Sequence, residues 1–149
     1  MEGDILMKIQ ESAENYLETI LMLGKAKGNV LSIDIATALS FSKPSVSVAM
    51  KNLRENGYIL MDKDGFIALT EKGHEIAETI YERHTLLSSF LMYLGVSKET
   101  ATQDACRIEH VISPESFEAL KQHVYSHKEI MDIKDQYIGS VIDLDALTK

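Results

Sequence analysis

Cys106, Glu109 and His110 stand at i, i+3 and i+4 along the chain. On a helix these positions share one face. A thiolate, a carboxylate and an imidazole together form a mixed soft and hard ligand set for a divalent transition metal. The same spacing also suits a small buried cysteine beside an ordinary Glu–His surface pair. His84 falls on the apolar stripe of a long helical pattern, where a single histidine is more often a satisfied core residue than a ligand. Glu18, taken alone, is one acidic residue on an amphipathic helix. His123 and His127 form an i, i+4 pair of the kind that binds zinc adventitiously. No glycine-rich oxyanion loop and no third orienting group accompanies the Cys–His pair, which argues against nucleophilic catalysis.

A second group of residues suits nucleic acid. Ser42, Lys43, Pro44, Ser45, Ser47, Val48, Lys51 and Asn52 lie along one short helical pattern. Hydroxyls and lysines suit phosphate contacts and some base contacts, and Val48 could touch a thymine methyl. Lys63 sits in a turn where it could reach a further phosphate. Domains of this layout also mediate protein–protein contacts, and their polar faces are then simply solvated.

The elements that must position these residues follow from periodicity. Residues from about Gln10 to Lys27 predict a helix, with Tyr16, Ile20 and Leu23 on its apolar stripe and Gly28 at its end. Ser32 is placed to cap a short helix over Ile33–Leu39. Ser40-Phe41 makes a brief turn. Ser42 is placed to cap the next helix, where Pro44 is tolerated in the first turn; Val46, Ala49, Met50 and Leu53 form its buried stripe and Gly57 stops it. Two short helices meeting at such a turn predict a helix-turn-helix. Tyr58–Met61 and Phe66–Leu69 then read as strands around an Asp-Gly turn, which makes a wing. Thr70 caps a long helix from Glu71 to about Leu94. Ser97 opens a helix to about Ile112, and Ser113-Pro114 starts another containing Phe117, Leu120 and Val124. From about Lys128 the pattern weakens.

The expected fold class is mainly α with a small β-hairpin. Residues 1–71 are expected to form a winged helix-turn-helix and residues 72–149 a second, helical domain, which the family resemblance set out below implies is the metal-binding and dimerisation domain. Composition agrees with a globular chain: among 149 residues 45% are hydrophobic and 26% charged. No run approaches the ~20 apolar residues of a membrane span. The N-terminus lacks the regions of a signal peptide, and one cysteine excludes an internal disulfide, so a reducing cytoplasm is expected. The net charge of -8 argues against a nonspecific nucleic-acid coat. Its distribution is uneven: residues 1–70 carry -2 and residues 71–149 carry -6. Between Ser42 and Lys63 the sign reverses, with Lys43, Lys51, Arg54 and Lys63 against Glu55 and Asp62.

The whole layout resembles the metal-dependent repressors of the diphtheria toxin repressor and manganese transport regulator family. The resemblance rests on Ser12-Ala-Glu-Asn-Tyr-Leu-Glu-Thr-Ile20, Ser42-Lys-Pro-Ser-Val-Ser47, Leu69-Thr-Glu-Lys-Gly73, Glu82-Arg-His84 and Asp104-Ala-Cys-Arg-Ile-Glu-His-Val111. It implies a homodimeric, cytoplasmic transcriptional repressor of manganese or iron homeostasis genes, with Mn(II) or Fe(II) as corepressor and a palindromic double-stranded DNA operator. It also implies metal ligands at Glu18, His84, Cys106, Glu109 and His110. Asn15 stands where family members carry a Met or Asp ligand, and it offers only a neutral amide oxygen. Ser88 replaces a carboxylate of a second site, and Thr102 sits where some members have another histidine. The sequence as given stops before the SH3-like third domain of the iron-dependent members, which leans toward manganese. Cys106 resembles the iron regulators, and its thiolate would also accept Zn(II) or Co(II) in vitro.

Leu86, Leu87, Phe90, Leu94, Ile108 and Ile112 supply more apolar surface than one helix buries alone and are expected to form a two-fold interface together with the monomer core. Two other classes stay open. One is a winged-helix regulator answering to a small organic ligand, with a vestigial metal site. The other is a metalloenzyme with Glu109 as base beside a bound water.

Overall fold

The computed structural model describes residues 2–141, with side chains described from Gln10 to Ile138. Seven helices and one two-stranded antiparallel hairpin follow each other among them. The described residues divide into two compact units, one up to Glu78 and one from Thr79 to Val141.

The first unit opens with α1 (Glu2–Lys27). It starts at Glu2, earlier than the Gln10 that the sequence pattern indicates. Tyr16, Leu17, Ile20, Leu21 and Leu23 of α1 are buried. Next comes α2 (Ser32–Leu39), where Ser32 is the first helical residue and not its cap. The free donor at this end is satisfied differently: the Leu31 N–H donates to the Asp34 carboxylate at 2.8 Å. Ser40 turns the chain in the left-handed region, with φ 56°. Phe41 then sets its ring edge-on against Tyr16, with centroids 6.0 Å apart, which ties the turn to α1.

The next helix, α3 (Lys43–Glu55), is capped as expected, the Ser42 hydroxyl accepting from the Ser45 N–H at 3.3 Å. Val46, Met50 and Leu53 bury its inner face. Gly57 (φ 79°) ends it, with the Tyr58 N–H donating back to the Leu53 carbonyl at 2.9 Å. The hairpin is β1 (Ile59–Met61) paired with β2 (Ile67–Leu69), Leu60 opposite Ala68. Its loop is built by Asp62, whose Oδ1 accepts from the N–H groups of Asp64 and Phe66, both at 2.9 Å. Val30 adds an isolated bridge to Ile67 beside the hairpin.

One long helix, α4 (Glu71–Tyr93), contributes to both units. Thr70 secures its start: its hydroxyl accepts from the Gly73 N–H at 3.1 Å and lies 2.7 Å from the Gly57 carbonyl. At Gly73 a Cβ would stand 2.0 Å from the Tyr58 carbonyl oxygen. Only glycine lets helix and wing backbone approach this closely.

The second unit contains the remainder of α4 with α5 (Lys98–Val111), α6 (Pro114–Tyr125) and α7 (Lys128–Val141). Ser97 and Ser113 cap α5 and α6, accepting from Thr100 and Ser116. Leu86, Phe117, Val124 and Ile130 form its buried cluster, flanked by Phe90, Ile112, Leu120 and Met131. The weak pattern after Lys128 therefore conceals a real helix. Ile130 and Tyr137, seven residues apart, are its buried positions. Arg83 closes the end of α5, donating to the carbonyls of Glu109 at 3.1 Å and Ile112 at 3.2 Å.

Candidate metal centre and nucleic-acid interface

His84 comes from the middle of α4, and Cys106, Glu109 and His110 from the last turns of α5. The i, i+3, i+4 spacing puts the three α5 side chains on one face, and that face meets His84. His84 Nδ1 lies 2.8 Å from Glu109 Oε2 and 3.8 Å from Cys106 Sγ. The other carboxylate oxygen of Glu109 is 3.4 Å from His110 Nε2. His84 is 4% exposed and Glu109 is wholly buried, while Cys106 opens to solvent.

A buried carboxylate is costly unless positive charge or donors face it. Glu109 is faced by two imidazoles, one per oxygen. One donor atom each from His84, Cys106 and Glu109 lie within 4.8 Å of one another. Ligands held at about 2.0–2.3 Å from a shared ion must converge to about this degree. The donor set and its convergence therefore fit a divalent transition metal. His84, which the sequence alone left as a core or a ligand histidine, is both buried and turned toward the other donors.

Two further residues complete the surroundings of His84. Its Nε2 lies 2.6 Å from the Tyr137 hydroxyl, and Thr102 Oγ1 lies 3.1 Å from the same hydroxyl. Burial pushes the Tyr137 phenol above its ordinary value, against an opposing effect of the Ser88 and Thr102 hydroxyls. Sequence reasoning missed Tyr137. The signal was present as Ile130, Ile133, Tyr137 and Ile138 at helical spacing in the tail.

Glu18 and Asn15 lie on α1, in the first unit. Glu18 is buried at 5% exposure, and Asn15 is half-buried, its carbonyl accepting from the Thr19 hydroxyl at 2.8 Å. His123 and His127 are exposed and stack on each other, with centroids 4.1 Å apart; His127 Nδ1 meets the His123 carbonyl at 2.8 Å.

Lys43, Pro44, Ser45, Ser47, Val48, Lys51 and Asn52 are all exposed along α3, and Lys63 is exposed in the hairpin loop. Ser42 is exposed too, but its hydroxyl is engaged with Ser45 as the helix cap. The apolar set expected at an interface divides. Leu86 at 0% and Leu87 at 4% exposure are buried within one chain and belong to its core. Phe90, Ile108 and Ile112 are half-buried, and Leu94 is 61% exposed.

Comparison with known proteins gives a consistent picture. Residues 8–66 match the family described as iron dependent repressor, N-terminal DNA binding domain. Residues 70–132 match iron dependent repressor, metal binding and dimerisation domain. The chain is 34% identical over 118 residues to the transcriptional regulator MntR of Escherichia coli, covering 79% of this chain and 76% of that one. It is 35% identical over 118 residues to the HTH-type transcriptional regulator MntR of Bacillus subtilis, covering 79% and 83%. Among solved structures, the manganese regulator SloR superposes with a TM-score of 0.69 at 31% identity. That match covers 78% of this chain, which spans about half (54%) of SloR. ScaR with bound Zn2+ superposes with a TM-score of 0.64 at 30% identity, covering 78% and 55%.

Proposed function

The chain belongs to the iron-dependent repressor family and is a metal-responsive, DNA-binding transcriptional repressor, and from that premise we propose that Mn(II) or Fe(II) acts as its corepressor at a palindromic operator. The observation that carries the proposal is the wholly buried Glu109, with one oxygen toward His84 and the other toward His110, beside the Cys106 thiol. A divalent ion there would supply positive charge to that carboxylate and a bond to each donor. His84 brings a ring nitrogen from α4; Cys106, Glu109 and His110 bring three donors from α5. Glu18 and Asn15 enter the proposed ligand set from the sequence resemblance.

The two candidate ions have separate support. Two of the similar solved structures, at 31% and 25% identity, carry manganese in their names. The Cys106 thiolate is a softer ligand than Mn(II) prefers and suits Fe(II), with Zn(II) and Co(II) able to bind in vitro.

Lys43, Ser45, Ser47 and Lys51 on α3 and Lys63 on the wing are proposed to meet DNA, the lysines at phosphate and the serines at phosphate or base edges. In a homodimer, two recognition helices must stand about 34 Å apart to enter successive major grooves. Phe90, Leu94, Ile108 and Ile112 are the proposed interface, and repression follows the fraction of dimers holding that spacing.

Anaerobic selection of fragments from the source genome tests this, with metal-free, Mn(II)-loaded and Fe(II)-loaded protein at fixed salt. Metal-dependent recovery of a few palindromic promoters is the expected result, and the more effective ion identifies the corepressor. Equal recovery with and without metal would overturn the corepressor role and point to an organic effector. Sedimentation at micromolar concentration showing only the 16.7 kDa species would overturn the dimer.

A further inference from the structure

Both ring nitrogens of His84 are engaged, and by different elements. Nδ1 faces Glu109 and Cys106 of α5, whereas Nε2 meets the hydroxyl of Tyr137, a residue of α7 that is 53 positions away in sequence. A histidine that binds metal through one nitrogen almost always has its other nitrogen engaged, which fixes the tautomer and the ring orientation. Rotation of the His84 ring about its Cβ–Cγ bond would swing Nδ1 away from the α5 donors. The 2.6 Å contact at Nε2 resists that rotation from the opposite edge of the ring.

A phenol is suited to this task because its hydroxyl both donates and accepts. It satisfies Nε2 whether that nitrogen carries the proton or not. Thr102 Oγ1, 3.1 Å from the same hydroxyl, supplies a second partner for the phenol in either arrangement, with the Ser88 hydroxyl beside it. Tyr137 is 3% exposed, so bulk water does not compete for the contact. The ring is also packed against His84, with centroids 5.7 Å apart.

Resting on the metal reading above, we propose that Tyr137 is a positioning residue for the metal centre: it holds His84 with Nδ1 directed at Cys106 and Glu109, and Thr102 orients its hydroxyl. α7 is then part of the metal centre as well as a wall of the second unit's core.

The test uses the full chain with Tyr137→Phe, which keeps the ring and removes the hydroxyl, and Thr102→Val, which keeps the shape at residue 102. Mn(II) and Co(II) affinities are measured by chelator competition, the Co(II) absorption spectrum reports the ligand arrangement, and metal-free thermal unfolding reports folding. Loss of an outer partner of a ligating histidine typically weakens metal binding about 10–100-fold. That loss is expected for Tyr137→Phe, with an altered Co(II) spectrum and a smaller loss for Thr102→Val. Affinities within about twofold of the parent protein, with an unchanged Co(II) spectrum, would overturn the positioning role. If Tyr137→Phe does not fold, Thr102→Val decides by the same two readouts. A parent protein that binds neither ion overturns the metal reading itself, whereas a parent that binds and variants that match it overturn only the role of Tyr137.

Discussion

His84 and Glu109, 25 residues apart in sequence, meet at 2.8 Å with both side chains withdrawn from water. The contact joins α4 to α5 and gives His84 Nδ1 and Glu109 Oε2 a close, buried polar partner each. Removing one member of such a buried pair costs more than the pair itself contributes, because the other is left desolvated.

Glu109→Gln isolates the charge, since the amide keeps the volume and one acceptor oxygen. Mn(II) affinity by chelator competition is expected to fall at least about tenfold, in line with losing the only carboxylate that faces both His84 and His110 in the second unit's described cluster. Glu109→Ala additionally removes the buried carboxylate beside His84 Nδ1, and urea unfolding of the metal-free protein is expected to show a loss of about 1–3 kcal/mol. Unchanged affinity in Glu109→Gln would remove this carboxylate from the metal centre.

In the proposed metal centre Cys106 is the donor expected to set which ion is preferred. It is exposed, so Cys106→Ser changes the donor without opening a cavity. Replacing sulfur with a hydroxyl oxygen is expected to remove the sulfur-to-Co(II) charge-transfer absorption and weaken Zn(II) and Co(II) more than Mn(II). A charge-transfer band that survives the substitution would show that sulfur is not a ligand.

Local chemistry made much of this molecule legible. Ser42, Ser97 and Ser113 each precede a helix they actually cap, because capping depends on residues within one turn. The Cys106, Glu109 and His110 face was visible for the same reason. What periodicity does not carry is which distant surface an apolar stripe meets. Periodicity put Leu86, Leu87, Phe90 and Leu94 in one apolar set without dividing it, and the chain buries Leu86 and Leu87 itself while Leu94 stays exposed. Tyr137 reaches His84 across 53 residues, from a helix whose polar positions blur its stripe. Ser32 misled because the helix starts one residue earlier than its cap reading requires: Leu31 is the cap position, and its N–H is taken by the Asp34 carboxylate.

Two glycines in helices make opposite predictions. Gly73→Ala drives a methyl group into the Tyr58 carbonyl at 2.0 Å, so helix and wing must separate. Overpacking of this kind costs about 1–3 kcal/mol, and DNA affinity is expected to fall with it as the wing shifts. Gly24→Ala meets nothing within 4 Å inside α1 and is expected to stabilise by up to about 1 kcal/mol. Thermal unfolding of the two variants side by side checks the sign of each.

Burial raises the phenols of Tyr16 and Tyr137 above the ordinary tyrosine value of about 10. In the unfolded chain these groups ionise first, so above about pH 10 the unfolded state holds fewer protons than the folded one. Stability therefore falls as pH rises through that window, and these phenols add no slope well below it. Urea midpoints between pH 8.5 and 11 are expected to decline, and Tyr137→Phe is expected to flatten part of the decline. An identical slope in the variant would show that Tyr137 ionises alike in both states.

Lys43, Lys51 and Lys63 are exposed on α3 and the wing within a chain of net charge -8. Attraction to DNA must then come from a local surface, and the acidic remainder opposes it. Each lysine that neutralises a phosphate releases counterions and contributes about 0.9 to the slope of log affinity against log salt. Single Lys→Ala variants are expected to weaken operator and nonspecific DNA alike and to lower that slope by about 0.9 per protomer contact. Ser45→Ala and Ser47→Ala are expected to leave the slope intact, since they carry no charge, and to weaken the operator more than nonspecific DNA if they read base edges. Ser42→Ala behaves differently again: its hydroxyl caps α3, so the variant is expected to lose about 1 kcal/mol of stability without DNA present. Salt titrations of all these variants on one operator separate phosphate contact, base contact and helix capping, and a slope unchanged by every lysine substitution would remove this face from DNA.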